Sequence, residues 1–200
     1  GERTIFHNRD ANEQLVVKED DLKGSEWVFV SALNGNWRKN VMTMLEAQAK
    51  LGFKIALNPG QHNLKEDSEF MKDLIRHSEV LCLNHDEAIF LLGIEYAHQS
   101  EENILQALHT LGPKYIALTD GARGAWASDE KNSYSMVPPH VAKVKDSTGA
   151  GDAFASGFFA AVLHEHSVEE ALRWGIKNSV SVIQNYGATK SLLIESTITL

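Results

Sequence analysis

Between residues 27 and 119 short apolar runs alternate with longer runs of helical spacing, and this rhythm constrains the fold more than any other feature. Trp27–Ala32 (WVFVSA) is apolar and partly β-branched, the pattern of a buried strand. Val41–Leu51 has helical spacing and stops at Gly52. Phe53–Leu57 reads as the next strand and is broken by Asn58-Pro59-Gly60. A helix over Asp67–Arg76, a strand over Glu79–Leu83 and a short helix over Asp86–Leu92 follow. Then come a helix over Glu101–Leu111 and a strand over Tyr115–Thr119. Such alternation with short connections predicts βαβ units: an α/β fold whose mainly parallel sheet is flanked by helices on both faces. Ligands of such sheets bind beyond the carboxyl ends of the strands. That singles out Asn34, Asn58, Asn84, Asp120 and Gly121. The rhythm then changes. Gly124–Ser128 and Tyr134–Val137 suggest an antiparallel hairpin, and two helices, about Gly151–Leu163 and Val168–Gln184, close the chain. With no repeat, linker or low-complexity tract, residues 1–200 read as one domain.

Composition narrows the functional classes. A formal net charge of -8 without a basic stripe argues against nucleic-acid binding. No apolar run is long enough to span a membrane, and no signal segment opens the chain. The single cysteine, Cys82, stands in the apolar run EVLCL and reads as a buried, reduced thiol, which fits a cytoplasmic location. The histidines show no zinc-type spacing. The opening GERTIFHNRD has no initiating methionine and enters a strand-like pattern at once, which suggests that an N-terminal region is missing.

The stretch Asp146-Ser147-Thr148-Gly149-Ala150-Gly151-Asp152 carries the chemistry. Its glycines permit a sharp turn and close approach of a ligand to the backbone amides. The first amides of the following helix lack intrahelical partners, and the helix dipole favours an anion there, so the turn suits a phosphate. The helix that follows, AFASGFFAAV, is small and apolar and therefore expected to be buried. Asp152 would sit at its buried start, kept ionised by the positive end. A carboxylate so placed can take the proton of an attacking hydroxyl. The plain structural alternative is an N-cap aspartate after a glycine turn. Neither a dinucleotide fingerprint nor a P-loop is present.

The run DSTGAGDAFASGF closely resembles the C-terminal signature of the PfkB family of carbohydrate kinases, which have the ribokinase-like fold. The resemblance implies that Asp152 is the catalytic base and that the amides of Gly149, Ala150 and Gly151 form an anion hole. It implies a monovalent-cation site, K⁺ in many members, holding Asp146 and Thr148. LCLNHDEAIFLLG resembles the family's N-x-x-E segment, which places Asn84 and Glu87 near the phosphates and Mg²⁺, Glu87 through water. A polar helix cap explains the same pair. IALTDGARGAWA resembles the nucleotide loop, with Thr119, Gly121 and Gly124; a hairpin turn would need the same glycines. LNPGQ resembles the family's Asn-Pro turn, where Asn58 can be purely structural. QNYGATKSL resembles the loop that completes the nucleotide and cation sites, with a carbonyl from Gly187 and a hydroxyl from Ser191. A helix C-cap is the other reading of Gly187.

Two departures stand out. The family's N-terminal part, with its glycine-rich sugar-binding segment and most of its lid, is absent, and GERTIFHNRDAN looks like the point where lid strands return. Ile176 occupies the position, eleven before Gly187, where many members place an asparagine near the adenine; Asn178 lies two residues on. The resemblance implies ATP- and Mg²⁺-dependent phosphorylation of a sugar. A nucleoside kinase of the same fold and a non-catalytic nucleotide-binding remnant are the alternatives. A homodimer through lid strands is a further expectation.

Overall fold

The computed structural model describes residues 13–137 and 144–198. The expected strand-like start at GERTIFHNRD and the lid junction within residues 1–12 lie outside the described residues. Six strands form one sheet in chain order: β1 (Trp27–Val30), β2 (Lys54–Leu57), β3 (Val80–Asn84), β4 (Tyr115–Thr119), β5 (Ala125–Ser128) and β6 (Ser133–Met136). The first four are parallel, and β5 and β6 add antiparallel to β4. The helices are α1 (Glu19–Leu22), α2 (Trp37–Leu51), α3 (Gln61–Glu66), α4 (Ser68–Arg76), α5 (His85–Leu92), α6 (Glu101–His109), α7 (Ala150–Leu163), α8 (Val168–Ile183) and α9 (Glu195–Ile198).

The two faces of the sheet differ in residue size, and this decides which helices cover them. Ile55, Leu57, Leu81, Leu83, Ile116 and Leu118 point to one face and pack with α2, α4, α5 and α6. Neighbouring parallel strands joined by right-handed crossovers must place their helices on a common face. On the other face the alternate residues Ala56, Cys82, Ala117, Ala125 and Ala127 are small, which lets α7 and α8 approach closely; Val80 shares this face. The two helices are themselves tightly apposed. A Cβ on Gly157 would come within 2.9 Å of the Trp174 carbonyl, and one on Gly175 within 2.8 Å of the Phe154 ring.

Several boundaries differ from those read in the sequence. β1 ends at Val30; the chain then leaves the sheet, and Leu33 takes the side-chain partner described below. α2 starts four residues early, at a Trp37 that is 2% exposed. α3 was not foreseen: it is six residues long, follows Pro59-Gly60 and buries only Asn63 and Leu64, too little for a periodic signal. No helix among the described residues is long and apolar enough to cross a membrane.

Candidate active site

Two cavities meet where α7 begins, above the carboxyl ends of β1–β4. The turn between them is held from both sides. Gly149 caps α7 in the left-handed region, at φ 78°, and a Cβ there would lie 2.6 Å from the Cβ of Ala188. Only glycine fits both demands. Asp146 Oδ1 accepts the Thr148 amide at 2.9 Å, and its Oδ2 accepts the Gly187 amide at 3.1 Å. The carboxylate therefore pins the closing loop to the turn. Ser191, at φ 68°, accepts the Ser181 hydroxyl on its carbonyl at 2.7 Å. Gly151 faces open space, with no atom within 4 Å of where its Cβ would be. The Ala150 amide donates to the Ser147 carbonyl at a long 3.3 Å.

The expectation for Asp152 needs correction. The body of α7 is buried, but its first turn is open and Asp152 is exposed. Burial begins at Ala153, whose carbonyl accepts a hydrogen bond from Asn178 of α8.

The smaller cavity, about 240 Å³, is lined by Ser31, Asn58, Asn84, Glu87, Asp152 and the 149–151 turn. Asn84 and Glu87 do form a cap: Asn84 Oδ1 accepts the Glu87 amide at 2.8 Å, and the Asn84 amide donates to Glu87 Oε2 at 2.9 Å. The reciprocal pair fixes the Glu87 carboxylate at the cavity wall, where the residue is 8% exposed. Burial raises the proton affinity of Glu87 above the ordinary carboxylate range. The Asn84 hydrogen bonds oppose this, and the charges of Asp86 and Asp152 add to it. Two carboxylates thus face one small, oxygen-lined space. Among the described residues no group of three or more His, Cys, Asp or Glu could hold a metal by itself. This donor set suits a cation that brings its own water and phosphate ligands, as Mg²⁺ does.

The larger cavity, about 580 Å³, is mostly apolar and is lined by Thr119, Gly121, Gly124, Phe154, Ile176 and Ile183 among others. Gly124 sits at φ 119°, and a Cβ there would lie 2.6 Å from the Met136 carbonyl oxygen, so the start of the hairpin requires it. Thr119, at the end of β4, borders both cavities, and its hydroxyl lies 3.5 Å from the Leu83 carbonyl. Of the residues expected after the strands, Asn34 and Asp120 line neither cavity; Asp120 pairs with Arg123. Asn178 points away from the cavity. Its Nδ2 donates to the Ala153 carbonyl at 2.7 Å and to Ser156 Oγ at 3.2 Å, and its Oδ1 accepts the Leu193 amide at 2.9 Å. Ile176 lines the cavity in its place.

Sequence reading missed Asn63 altogether. It is 2% exposed, and its amide closes on one residue's backbone: Oδ1 accepts the Leu33 N–H at 3.1 Å and Nδ2 donates to the Leu33 carbonyl at 2.9 Å. Gly60 packs on the same loop, where its Cβ would lie 2.5 Å from that of Ala32. The wall formed by Ser31 and Ala32 is thereby fastened to the Asn58-Pro59-Gly60 turn. Nothing in NPGQHNLKE sets Asn63 apart from its polar neighbours, since its partner lies 30 residues away.

Comparison with known proteins agrees with this arrangement. A family profile described as pfkB family carbohydrate kinase matches residues 1–195. A ribokinase of Haemophilus influenzae is 31% identical over 144 residues, which is 72% of this chain and 45% of that protein. A putative ribokinase II of E. coli, solved in complex with ATP and Mg²⁺, superposes with a TM-score of 0.78 at 17% identity, covering 92% of this chain and 60% of that one. A nucleoside kinase of Burkholderia thailandensis in complex with inosine gives a TM-score of 0.71 at 20% identity, covering 90% and 57%. At these identities the solved structures establish the shared fold. The chain spans about half the length of these relatives.

Proposed function

The chain belongs to the pfkB family of carbohydrate kinases, and we propose that its residues 1–200, one ribokinase-like domain, form the phosphoryl-transfer part of an ATP-dependent sugar kinase. The observation that carries this reading is the meeting of the two cavities at residues 147–151: one is apolar and large enough for a base, the other small, polar and flanked by Glu87 and Asp152. In this reading the nucleotide base enters the larger cavity beside Thr119, Gly121 and Gly124. Its phosphates pass over the amides of Gly149, Ala150 and Gly151 at the positive end of α7. The closing loop at Gly187, pinned by Asp146, forms the far side of the turn. Mg²⁺ bound with the nucleotide supplies neutralisation of phosphate charge, and Glu87 with Asn84 would hold it through water. A monovalent cation, K⁺ in kind, would be held beside the turn by Asp146, Thr148 and Ser191.

Asp152 lies on the same cavity and is exposed to it. It takes the proton of the acceptor hydroxyl as the oxygen attacks the terminal phosphorus of ATP in line; the new P–O bond forms as the bond to the ADP oxygen breaks. The amides of the turn stabilise the charge on the transferring group. Asp152→Asn in the full-length protein is the test. Loss of a general base lowers turnover roughly 10²–10⁴-fold. Near-normal turnover would overturn the assignment.

A nucleoside acceptor is the second reading, favoured by the likeness to a nucleoside kinase solved with inosine. ADP release measured over a panel of sugars and nucleosides separates the two.

A further inference from the structure

The segment that closes the site is fastened at both ends. At its start the Gly187 amide donates to Asp146 Oδ2. At its end the Leu193 amide donates to Asn178 Oδ1 at 2.9 Å. Between them the Ser191 carbonyl accepts the Ser181 hydroxyl at 2.7 Å. Asn178 is 4% exposed, and its other polar atom is engaged as well: Nδ2 donates to the Ala153 carbonyl at 2.7 Å and to Ser156 Oγ at 3.2 Å. Ala153 follows Asp152 in the chain, and its own amide donates to the Gly149 carbonyl at 2.8 Å. The bonds close a circuit. It runs from Asp146 to Gly187 and on to Leu193, crosses Asn178 to Ala153, and returns along α7 to the turn at Gly149.

The circuit makes a particular demand on position 178. The Ala153 carbonyl needs a donor and the Leu193 N–H needs an acceptor, and a carboxamide carries both in one plane. Aspartate would lack the donor, and leucine would lack both. The short side chain spans the seam because Gly157 lets α8 come near: a Cβ there would lie 3.2 Å from that of Asn178 and 2.9 Å from the Trp174 carbonyl oxygen. A bridge that served only to join two helices could end anywhere along them. This one ends on the first turn of α7, next to Asp152, and on the segment that bears Gly187 and Ser191.

We propose that Asn178 is a positioning residue of the phosphoryl-transfer site: its single amide holds the first turn of α7 and the closing segment 187–193 in fixed relation before nucleotide arrives. The proposal rests on the reading of the 149–151 turn as the phosphate site. A segment ordered in advance need not be ordered by the nucleotide, so affinity falls when the hold is lost.

Two measurements on the full-length protein test this. Amide hydrogen exchange with and without Mg·ADP needs no variant, and so decides even where Asn178→Ala fails to fold. The Leu193 N–H is expected to exchange slowly already in the free protein. Fast exchange that slows only when nucleotide is added overturns the proposal. Calorimetric titration with Mg·ADP, well below the melting temperature, then compares the parent with Asn178→Ala, Asp146→Ala and the double variant. Asn178→Ala should weaken binding by more than about threefold. Because both side chains hold one segment, the double variant should bind at least about twofold better than the product of the two separate losses requires. Unchanged affinity in folded Asn178→Ala, or separate losses that simply multiply, overturns the proposal and leaves the nucleotide site standing. A parent that does not bind Mg·ADP overturns the site assignment and the proposal with it.

Discussion

Gly149 and Gly151 stand two residues apart in one turn and carry opposite constraints. Gly149 adopts φ 78° and abuts Ala188. Gly151 has no positive φ, and its missing Cβ would face open space. Gly149→Ala should therefore cost roughly 1–2 kcal/mol for the left-handed backbone, with the overlap against Ala188 added to it. Gly151→Ala should leave thermal stability near the parent value, since helix interiors favour alanine over glycine by about 1 kcal/mol. Its methyl would nonetheless stand in the space proposed for phosphate, so nucleotide affinity should fall. Melting temperatures and nucleotide titrations of the two variants check the contrast. Equal destabilisation by both would show that the turn is not held as described. The same turn explains the placement of Asp152. The role proposed for Asp152 requires a carboxylate that faces the cavity, and the opening of α7 at its first turn gives Asp152 that exposure.

Among the elements, α3 is the least conspicuous and the most informative. It is too short to be stable alone. Its contribution is Asn63, whose amide substitutes for a strand neighbour and holds Leu33 after the chain has left β1. Removing it leaves the Leu33 N–H and C=O without their partner. Each group so deprived costs about 1–3 kcal/mol where it stays buried, less where water reaches it. Asn63→Ala in the full-length protein should lower the melting temperature and raise the KM for the acceptor more than it lowers kcat, because Ser31 and Ala32 form the wall on that side. A fall in stability with the acceptor KM unchanged would confine Asn63 to holding the fold. The pairing of α7 with α8 follows a different rule: close approach through Gly157 and Gly175, with Asn178 as a polar bridge in the seam.

At the scale of the whole molecule, the sheet separates two cores with different grain. The face toward α2, α4, α5 and α6 carries leucine and isoleucine at its centre; the face toward α7 and α8 carries Ala56, Cys82, Ala117, Ala125 and Ala127 there, with Val80, Trp27 and Tyr115 nearer the amino ends of the strands. Small residues there bring the amino end of α7 down onto the strand ends, where both cavities form. Cys82 lies in this layer at the floor of the smaller cavity, 4% exposed, and burial pushes its thiol up to about 12. A thiol so protonated is a poor nucleophile at neutral pH. Reaction with a disulfide reagent should therefore be slow in the native protein, fast in urea and slower still with Mg·ATP bound. Rapid native labelling would mean that α7 lifts from the sheet.

The sequence by itself determined the strands, the longer helices and their order, because period and turn chemistry are local. Tyr115–Thr119 matched its strand residue for residue, and the apolar runs around Ile55 and Leu81 fell into β2 and β3. The glycine turn before α7 was legible for the same reason: glycines in sequence before an apolar helix state their own backbone requirement. What the tertiary structure alone decided are relations between distant residues. Asp146 meets Gly187 across 41 positions, and Asn63 meets Leu33 across 30. Asn178 and Ile176 sit two apart on one helix, yet one faces α7 and the other the cavity, a choice made by how the helices pack. A side chain's type is written in the sequence; its partner is set by which surfaces exclude water together, and that sum is taken over the whole fold.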